Sequence, residues 1–125
     1  MKKTAVLATI ALLSAFGVRS AAAADWSVRL FNIDDSMQVL VNGKLIRTCG
    51  LGQTCAQNLN SMVSGENTIV IRVRNGIRGF TYGYTLLKGT QVYHQDVCGW
   101  NDIAGCDQAE LASGVVREFT FVVRR

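Results

Sequence analysis

Three aspartates at two places in the chain have the side-chain chemistry of a calcium site. Asp34 and Asp35 are adjacent in the turn-forming sequence NIDDS, and Asp107 directly follows the cysteine-bounded loop CGWNDIAGC. Calcium takes roughly six to eight oxygen ligands, so neighbouring carboxylates suit it when a loop adds further oxygens. We predict that these three aspartates bind calcium, the one cofactor that the sequence suggests. The alternative is that Asp34 stabilises its own turn and that Asp107, with Asp102, caps the following segment.

The same cysteine-bounded loop offers a surface for a sugar ring. Trp100 is an aromatic platform, and Asn101 and Asp102 beside it carry hydrogen-bonding groups. A loop that is held by a disulfide loses little conformational freedom when a ligand binds. We therefore predict a ligand-binding site at Trp100, Asn101 and Asp102. The alternative is that Trp100 folds inward and covers one end of the core.

Three arginines lie close together in the chain at Arg72, Arg74 and Arg78. They could form a basic patch for an acidic glycan or a protein partner, so Arg78 joins the predicted ligand-binding residues. The alternative is a solvated face whose charges prevent unwanted strand pairing. Tyr82 and Tyr84 are in phase with apolar residues on the following strand, and we predict that they are core residues; the alternative is an aromatic row that forms a binding face on the sheet.

The sequence lacks the signatures of common catalytic sites. His94 is the single histidine and has no nucleophile motif around it. None of the patterns G-x-S-x-G, H-E-x-x-H or a phosphate-binding loop occurs in the chain. We predict a protein that binds a ligand and is not an enzyme.

Four cysteines predict two local disulfides. More than one pairing is open in principle. We predict Cys49 with Cys55 and Cys98 with Cys106, because each pair brackets a glycine-bearing stretch that can loop back on itself. A metal site is the alternative, but zinc sites generally use closer cysteine spacings or histidines. Cysteines of exported proteins also usually oxidise.

Residues 1–24 have the composition of a secretory signal peptide. A positively charged start and an apolar run at 5–16 are followed by the small residues Ala22 to Ala24. This is the pattern that a signal peptidase reads. We predict cleavage near Ala24, a secreted or periplasmic location, and no membrane span in the mature form.

The remainder, residues 25–125, is nearly neutral. Three of the 13 Lys and Arg residues lie in the signal peptide, whereas all nine Asp and Glu residues lie outside it. The mature chain therefore lacks the excess positive charge that nucleic-acid binding requires. Its length fits a single domain.

The hydrophobic pattern of this domain predicts an all-β fold. From Thr68 to Arg74, apolar Ile69, Ile71 and Val73 alternate with mostly polar residues, which is typical of a half-buried strand. Similar runs occur at 26–31, 37–41, 44–48, 80–86, 91–97 and 115–123. We interpret 68–74 and 80–86 as an antiparallel hairpin, 57–63 as a short strand or helical turn, and 107–113 as the other segment with helical character. The whole reads as an antiparallel β-sandwich.

The sequences DDSMQVLVNGK at 34–44 and SGENTIVIRVRN at 64–75 resemble the jelly-roll sandwiches of the galactose-binding-like superfamily. A related resemblance is to PA14 domains, in which paired aspartates precede a strand. The resemblance implies a jelly-roll fold, carbohydrate binding through loops at one end of the sandwich, and calcium bound at the positions of Asp34 and Asp35. The chain departs from both families in being short, which puts the usual binding loops in question.

Two functions follow as hypotheses. The first is a carbohydrate-binding, lectin-like module for a glycan or cell-surface polysaccharide, with calcium dependence as part of the hypothesis. The alternative is a protein-interaction or self-assembly subunit of the bacterial envelope or extracellular surface, because exposed sheet edges can recruit other chains.

Overall fold

The computed structural model of the protein describes residues 25–76, 79–99 and 113–125. They form eight β-strands: β1 Trp26–Phe31, β2 Ser36–Val41, β3 Lys44–Gly50, β4 Cys55–Asn58, β5 Glu66–Asn75, β6 Tyr82–Lys88, β7 Gln91–Cys98 and β8 Gly114–Arg124. In these ranges no helix is long and apolar enough to cross a membrane. The predicted all-β fold is confirmed, whereas the predicted signal peptide lies outside the described residues.

The strands form two four-stranded antiparallel sheets that pack face to face. The front sheet has the order β4-β1-β6-β7, and the back sheet has the order β3-β2-β5-β8. The hairpins β2–β3 and β6–β7 stay within one sheet, and the other connections pass from one sheet to the other. In both sheets the strands have the same neighbours as in a jelly roll. The difference is that this chain begins at another strand of that arrangement. The predicted jelly-roll β-sandwich is confirmed.

Alternating residues of the two sheets fill the core. On β5, Ile69, Ile71 and Val73 point inward and are no more than 1% exposed. In the front sheet, Tyr84 and Leu86 of β6 are fully buried in the same apolar cluster. Removing apolar surface from water stabilises the fold by about 25 cal/mol for each Å². The apolar residues of the period-two pattern are therefore the ones through which the two sheets contact each other.

Strands β5 and β6 do not pair with each other, so the predicted hairpin is wrong. β5 pairs with β2 and β8, whereas β6 pairs with β1 and β7. Both strands carry a strongly apolar row of side chains. A hairpin would have put both rows on one face of one sheet. Placing the strands in facing sheets lets each row cover the other.

The turn between β2 and β3 follows the sequence closely. Asn42 and Gly43 have φ angles of 51° and 82°, and Val41 is opposite Lys44 in the register. Two successive positive φ angles define the hairpin turn that an Asn-Gly pair favours. The segment predicted as a strand or helical turn at 57–63 contains the end of β4 and then a turn in which Met62 N–H donates to the Leu59 carbonyl at 3.2 Å.

The two lateral edges of the sandwich differ. At one edge, Cys49 of β3 and Cys55 of β4 form a disulfide, which joins the back sheet to the front sheet. This confirms the first predicted disulfide. At the other edge, β7 and β8 lie at the ends of their sheets. Cys98 at the end of β7 is disulfide-bonded. Its predicted partner Cys106 and most of the predicted helical segment at 107–113 lie outside the described residues.

Candidate functional site

A groove lies on the outer face of the front sheet. Its volume is about 330 Å³, and its lining residues are Arg29, Phe31, Thr54, Thr85 and Gln95. We refer to these five residues as the front-sheet groove. Strands β1, β6 and β7 and the loop before β4 contribute to it, so the strand pairing sets its shape.

The strand register places the polar lining residues in one row. Arg29 on β1 is directly opposite Thr85 on β6, and Thr85 is opposite Gln95 on β7. On its other side, Arg29 is opposite Ala56 of β4. Directly opposed residues project from the same face of a sheet. The row therefore presents an amide, a hydroxyl and a guanidinium group side by side, next to the small Ala56.

Phe31 occupies the adjacent row, where its ring lies across Gly83. The two residues are opposite each other on β1 and β6. A Cβ atom added to Gly83 would lie 2.5 Å from Cε2, 2.7 Å from Cδ2 and 3.0 Å from Cζ of the Phe31 ring. Because these three distances are similar, the glycine lies under the face of the ring and not at its edge. The half-buried ring is also one of the residues that line the groove.

Thr54 forms the rim of the groove on the β4 side, and its position is fixed by covalent and hydrogen bonds. The next residue, Cys55, is bonded to Cys49, with 6.2 Å between their Cα atoms. Within the loop that the disulfide closes, Gly52 N–H donates to the Ile33 carbonyl at 3.1 Å. Such a rim needs little ordering when a ligand binds.

The lining residues determine what the groove can do chemically. An aromatic face stacks on the apolar face of another ring. The hydroxyl, amide and guanidinium groups beside it supply hydrogen bonds to polar substituents at that ring's edge. Arg29 is exposed and forms no ion pair with another described residue. Among the described residues, the lining contains no carboxylate, histidine or cysteine.

The predicted calcium ligands are only partly within the described residues. Asp35 accepts a hydrogen bond through Oδ2 from the Gly76 N–H at 2.7 Å, which ties the turn before β2 to the end of β5. Within 25–76, 79–99 and 113–125, no group of three or more His, Cys, Asp or Glu side chains could hold a metal ion. Asp107 lies outside these ranges, and calcium binding with Asp34 and Asp35 stays a prediction.

The ligand-binding residues predicted from the sequence lie outside the described residues; they are Trp100, Asn101, Asp102 and Arg78. Of the other two arginines, Arg72 donates from Nε to Oε2 of Glu118 on β8 at 2.7 Å. The side chains are 35% and 46% exposed, and surface ion pairs of this kind add little to stability. The pair reduces the positive charge of the predicted basic patch.

Two buried tyrosines of β6 lie next to the edge strand β7. Tyr82 donates to Oδ2 of Asp96 at 2.8 Å, and Tyr84 Oη lies 2.9 Å from Nδ1 of His94. Burial, and after it the bond to Asp96, raises the pKa of Tyr82 to about 12. Burial likewise raises the pKa of Tyr84 far above its usual value. Both tyrosines are core residues, as the sequence predicts.

The sequence prediction missed the front-sheet groove, although part of its signal is visible. Arg29 and Phe31 belong to the outward set of β1, and an aromatic residue in that set suggests a role on the surface. Gly83 interrupts the aromatic run of β6 between Tyr82 and Tyr84. The register that brings Phe31 over Gly83 joins residues about fifty positions apart, and no local pattern in the sequence specifies it.

Comparison with known proteins gives no information on the ligand of this site. No family model, no curated protein and no solved structure matches the chain. The resemblance to galactose-binding-like and PA14 domains therefore stays a prediction.

Proposed function

We propose that the protein is a non-catalytic carbohydrate-binding module and that the front-sheet groove is a binding surface for the glycan. The observation that carries this proposal is the Phe31 ring, which rests on Gly83, is half-buried and lines the groove. A pyranose ring has an apolar face of C–H groups and a rim of hydroxyl groups. An exposed aromatic face with polar side chains beside it is complementary to both.

The polar row supports the same ligand class. Thr85 and Gln95 have donors and acceptors, and Arg29 has donors only, so together they can satisfy sugar hydroxyl groups in either role. They project from hydrogen-bonded strands, and the groove is largely formed before the ligand arrives. Preorganisation of this kind reduces the entropic cost of binding.

The proposal also includes export of the protein and a dependence of glycan binding on calcium. The signal-peptide pattern at 1–24 supports a secreted or periplasmic location, where glycans and cell-surface polysaccharides are accessible. The loop with Trp100, Asn101 and Asp102, with Arg78, is proposed as a further glycan contact. Calcium, with Asp34, Asp35 and Asp107 as its ligands, is proposed as the cofactor of glycan binding.

A glycan array with the oxidised mature protein tests the proposal. We expect binding that falls at least about tenfold in Phe31→Ala and survives in Phe31→Trp, which keeps an aromatic face; each tenfold is about 1.4 kcal/mol of binding free energy. Leu45→Ala is the matched control, because Leu45 is an exposed apolar residue of the back sheet. The absence of binding across varied glycans would overturn the proposal. Equal losses of glycan binding in Phe31→Ala and Leu45→Ala would show that the groove is not the binding surface.

A protein-interaction or assembly subunit is the second candidate. It is supported by exposed apolar side chains on the edge strands, where Val92 is 56% and Val122 57% exposed. Strand edges with apolar neighbours can pair with a further chain. Size-exclusion chromatography at micromolar concentration tests this candidate. A strict monomer that captures no partner would remove it, whereas an oligomer that Val122→Lys dissociates would support it.

A further inference from the structure

Arg29 gives the front-sheet groove a charge preference. We propose that the groove binds oligosaccharides that carry carboxylate groups, as uronic acids do, and that Arg29 recognises the carboxylate. This inference rests on the proposed carbohydrate-binding function and adds the chemical class of the sugar. It concerns the face of the sheet, whereas the ligand-binding residues predicted from the sequence lie outside the described residues.

The charge distribution on the front sheet supports this preference. The outward-facing strand positions follow from the strand register, and Arg29 is the one charged residue among them. The others are Ser27, Phe31, Ala56, Asn58, Gly83, Thr85, Leu87, Val92, Gln95 and Val97. A carboxylate bound in the groove would therefore meet one positive charge and no negative charge from the outward-facing positions of these strands. The carboxylate on β7, Asp96, belongs to the inward row and accepts a hydrogen bond from Tyr82. A neutral sugar would leave the charge of Arg29 unused.

The environment of Arg29 leaves its guanidinium group free to bind. Its side chain is exposed, and no described carboxylate forms an ion pair with it. By contrast, Arg72 on the back sheet is held by Glu118. An arginine without an ion-pair partner next to an aromatic face can bind a ligand without first breaking an existing bond.

The geometry favours a carboxylate at the edge of a stacked sugar ring. Arg29 and Phe31 are two residues apart on one strand, so their Cα atoms are about 6.5 Å apart and their side chains project from the same face. A ring stacked on Phe31 directs the substituents at its edge along the sheet, towards the row of Arg29. The planar guanidinium group matches a carboxylate with two parallel hydrogen bonds.

The experiment measures the affinity of the mature protein for a panel of oligouronates. The panel contains oligomers of galacturonate, glucuronate, mannuronate and guluronate, each beside its methyl ester, together with neutral and sulfated oligosaccharides. The ester keeps the sugar ring and removes the charge. We expect at least one free acid to bind about tenfold or more tightly than its ester, since a charge-assisted hydrogen bond is worth at least that factor.

Variants assign this preference to Arg29. We expect Arg29→Gln to bind the acid and the ester with similar affinity, and Arg29→Lys to keep part of the preference. Arg47→Gln is the matched control, because it removes the same charge from an exposed position on the back sheet.

The outcomes separate this inference from the proposed function. Equal affinity of the wild type for every acid and its ester, or a preference for sulfated sugars alone, overturns the role of Arg29 but leaves carbohydrate binding intact. Equal effects of Arg29→Gln and Arg47→Gln would show a general effect of charge and would also overturn it. If no sugar of any kind binds, both proposals are wrong.

Discussion

Phe31 and Gly83 are opposite each other on neighbouring strands, and the ring of Phe31 covers the position where a larger residue at 83 would carry its Cβ atom. We predict that Gly83→Ala displaces the ring, because the added atom would lie 2.5 Å from Cε2. The side chain must leave its rotamer or the strand must shift, at a cost of about 0.5 to 1.5 kcal/mol. Urea denaturation measures this loss, and a glycan array measures the expected loss of binding.

Gly50→Ala is the control for this substitution. A Cβ atom at Gly50 would meet Oε1 of Gln53 at 3.4 Å, which is an ordinary contact. We expect this variant to keep its stability within about 0.5 kcal/mol. If Gly83→Ala behaves like Gly50→Ala in both measurements, the position of Phe31 over Gly83 is not required for the function.

The disulfide between Cys49 and Cys55 makes a second prediction. Its loop spans six positions, and closure of such a short loop in the unfolded chain contributes about 2 kcal/mol to stability. We expect the double variant Cys49→Ala, Cys55→Ala to lose about that much in chemical denaturation. Glycan affinity should also fall, because Thr54 at the rim loses its covalent support. Unchanged affinity would show that Thr54 contributes little to the groove.

The sequence predicted those features that depend on neighbouring residues. The alternation around Ile69 and Ile71 predicted a strand and its buried face, Asn42-Gly43 predicted a turn, and the spacing of Cys49 and Cys55 predicted a disulfide. Each of these depends on forces that act within a few residues.

Features that depend on strand partners were not predictable in this way. The pairing of β5 with β8 instead of β6 depends on how two apolar rows are buried together, and either arrangement satisfies the local pattern. The groove likewise depends on a register between distant strands. Arg29 and Thr85 are each ordinary outward residues in the sequence, and only their alignment makes a site.

Asn67 is a buried polar residue whose hydrogen bonds are all formed, and its removal makes a third prediction. Its side chain accepts from the Val63 N–H at 2.8 Å and from Asn42 Nδ2 at 2.9 Å, and it donates to the carbonyls of Val63 and Gly65. We expect Asn67→Ala to destabilise the fold by about 2 to 3 kcal/mol, since a buried side chain with four hydrogen bonds is removed. Thermal unfolding measures this effect.

Asn42→Ala is the comparison, because it removes one of the partners of Asn67 and leaves the bonds to Val63 and Gly65 in place. It also removes the acceptor of the Thr68 N–H, which donates to Asn42 Oδ1 at 2.8 Å. We expect it to cost less than Asn67→Ala. A larger effect of Asn42→Ala would assign the main role to the β2–β3 turn, where Asn42 has a positive φ angle.

The raised pKa of Tyr82 predicts how stability depends on pH. The folded state holds the phenol proton up to a pKa of about 12, whereas the ordinary pKa of tyrosine is 10.0. The folded state therefore binds more protons between these values, and its stability falls as pH rises through this range. We expect the urea midpoint to be constant near pH 9 and to fall at pH 10 to 12, values set by the same two pKa limits.

Tyr82→Phe checks the assignment of this alkaline transition. The variant lacks the titrating group, so its urea midpoint should depend less steeply on pH over the same range, even if it is lower at neutral pH. Tyr84 also has a raised pKa, and the double variant with Tyr84→Phe should flatten the dependence further. An unchanged slope in both variants would mean that other groups control alkaline unfolding.

Calcium binding is the last prediction and is tested without any sugar. A ligand that binds the folded state alone raises the free energy of unfolding by mass action, by about 2.7 kcal/mol at a hundredfold excess over its dissociation constant, and the melting temperature rises with it. We expect millimolar calcium to raise the melting temperature and a chelator to reverse the rise.

The double variant Asp34→Asn, Asp35→Asn should abolish the response. It removes both charges, but the amide oxygen at 35 can still accept the hydrogen bond from Gly76. A variant that keeps both its stability and its calcium response would exclude these carboxylates as ligands. A wild type without any response would leave Asp34 and Asp35 as turn residues, and the groove would then be the proposed site without a metal.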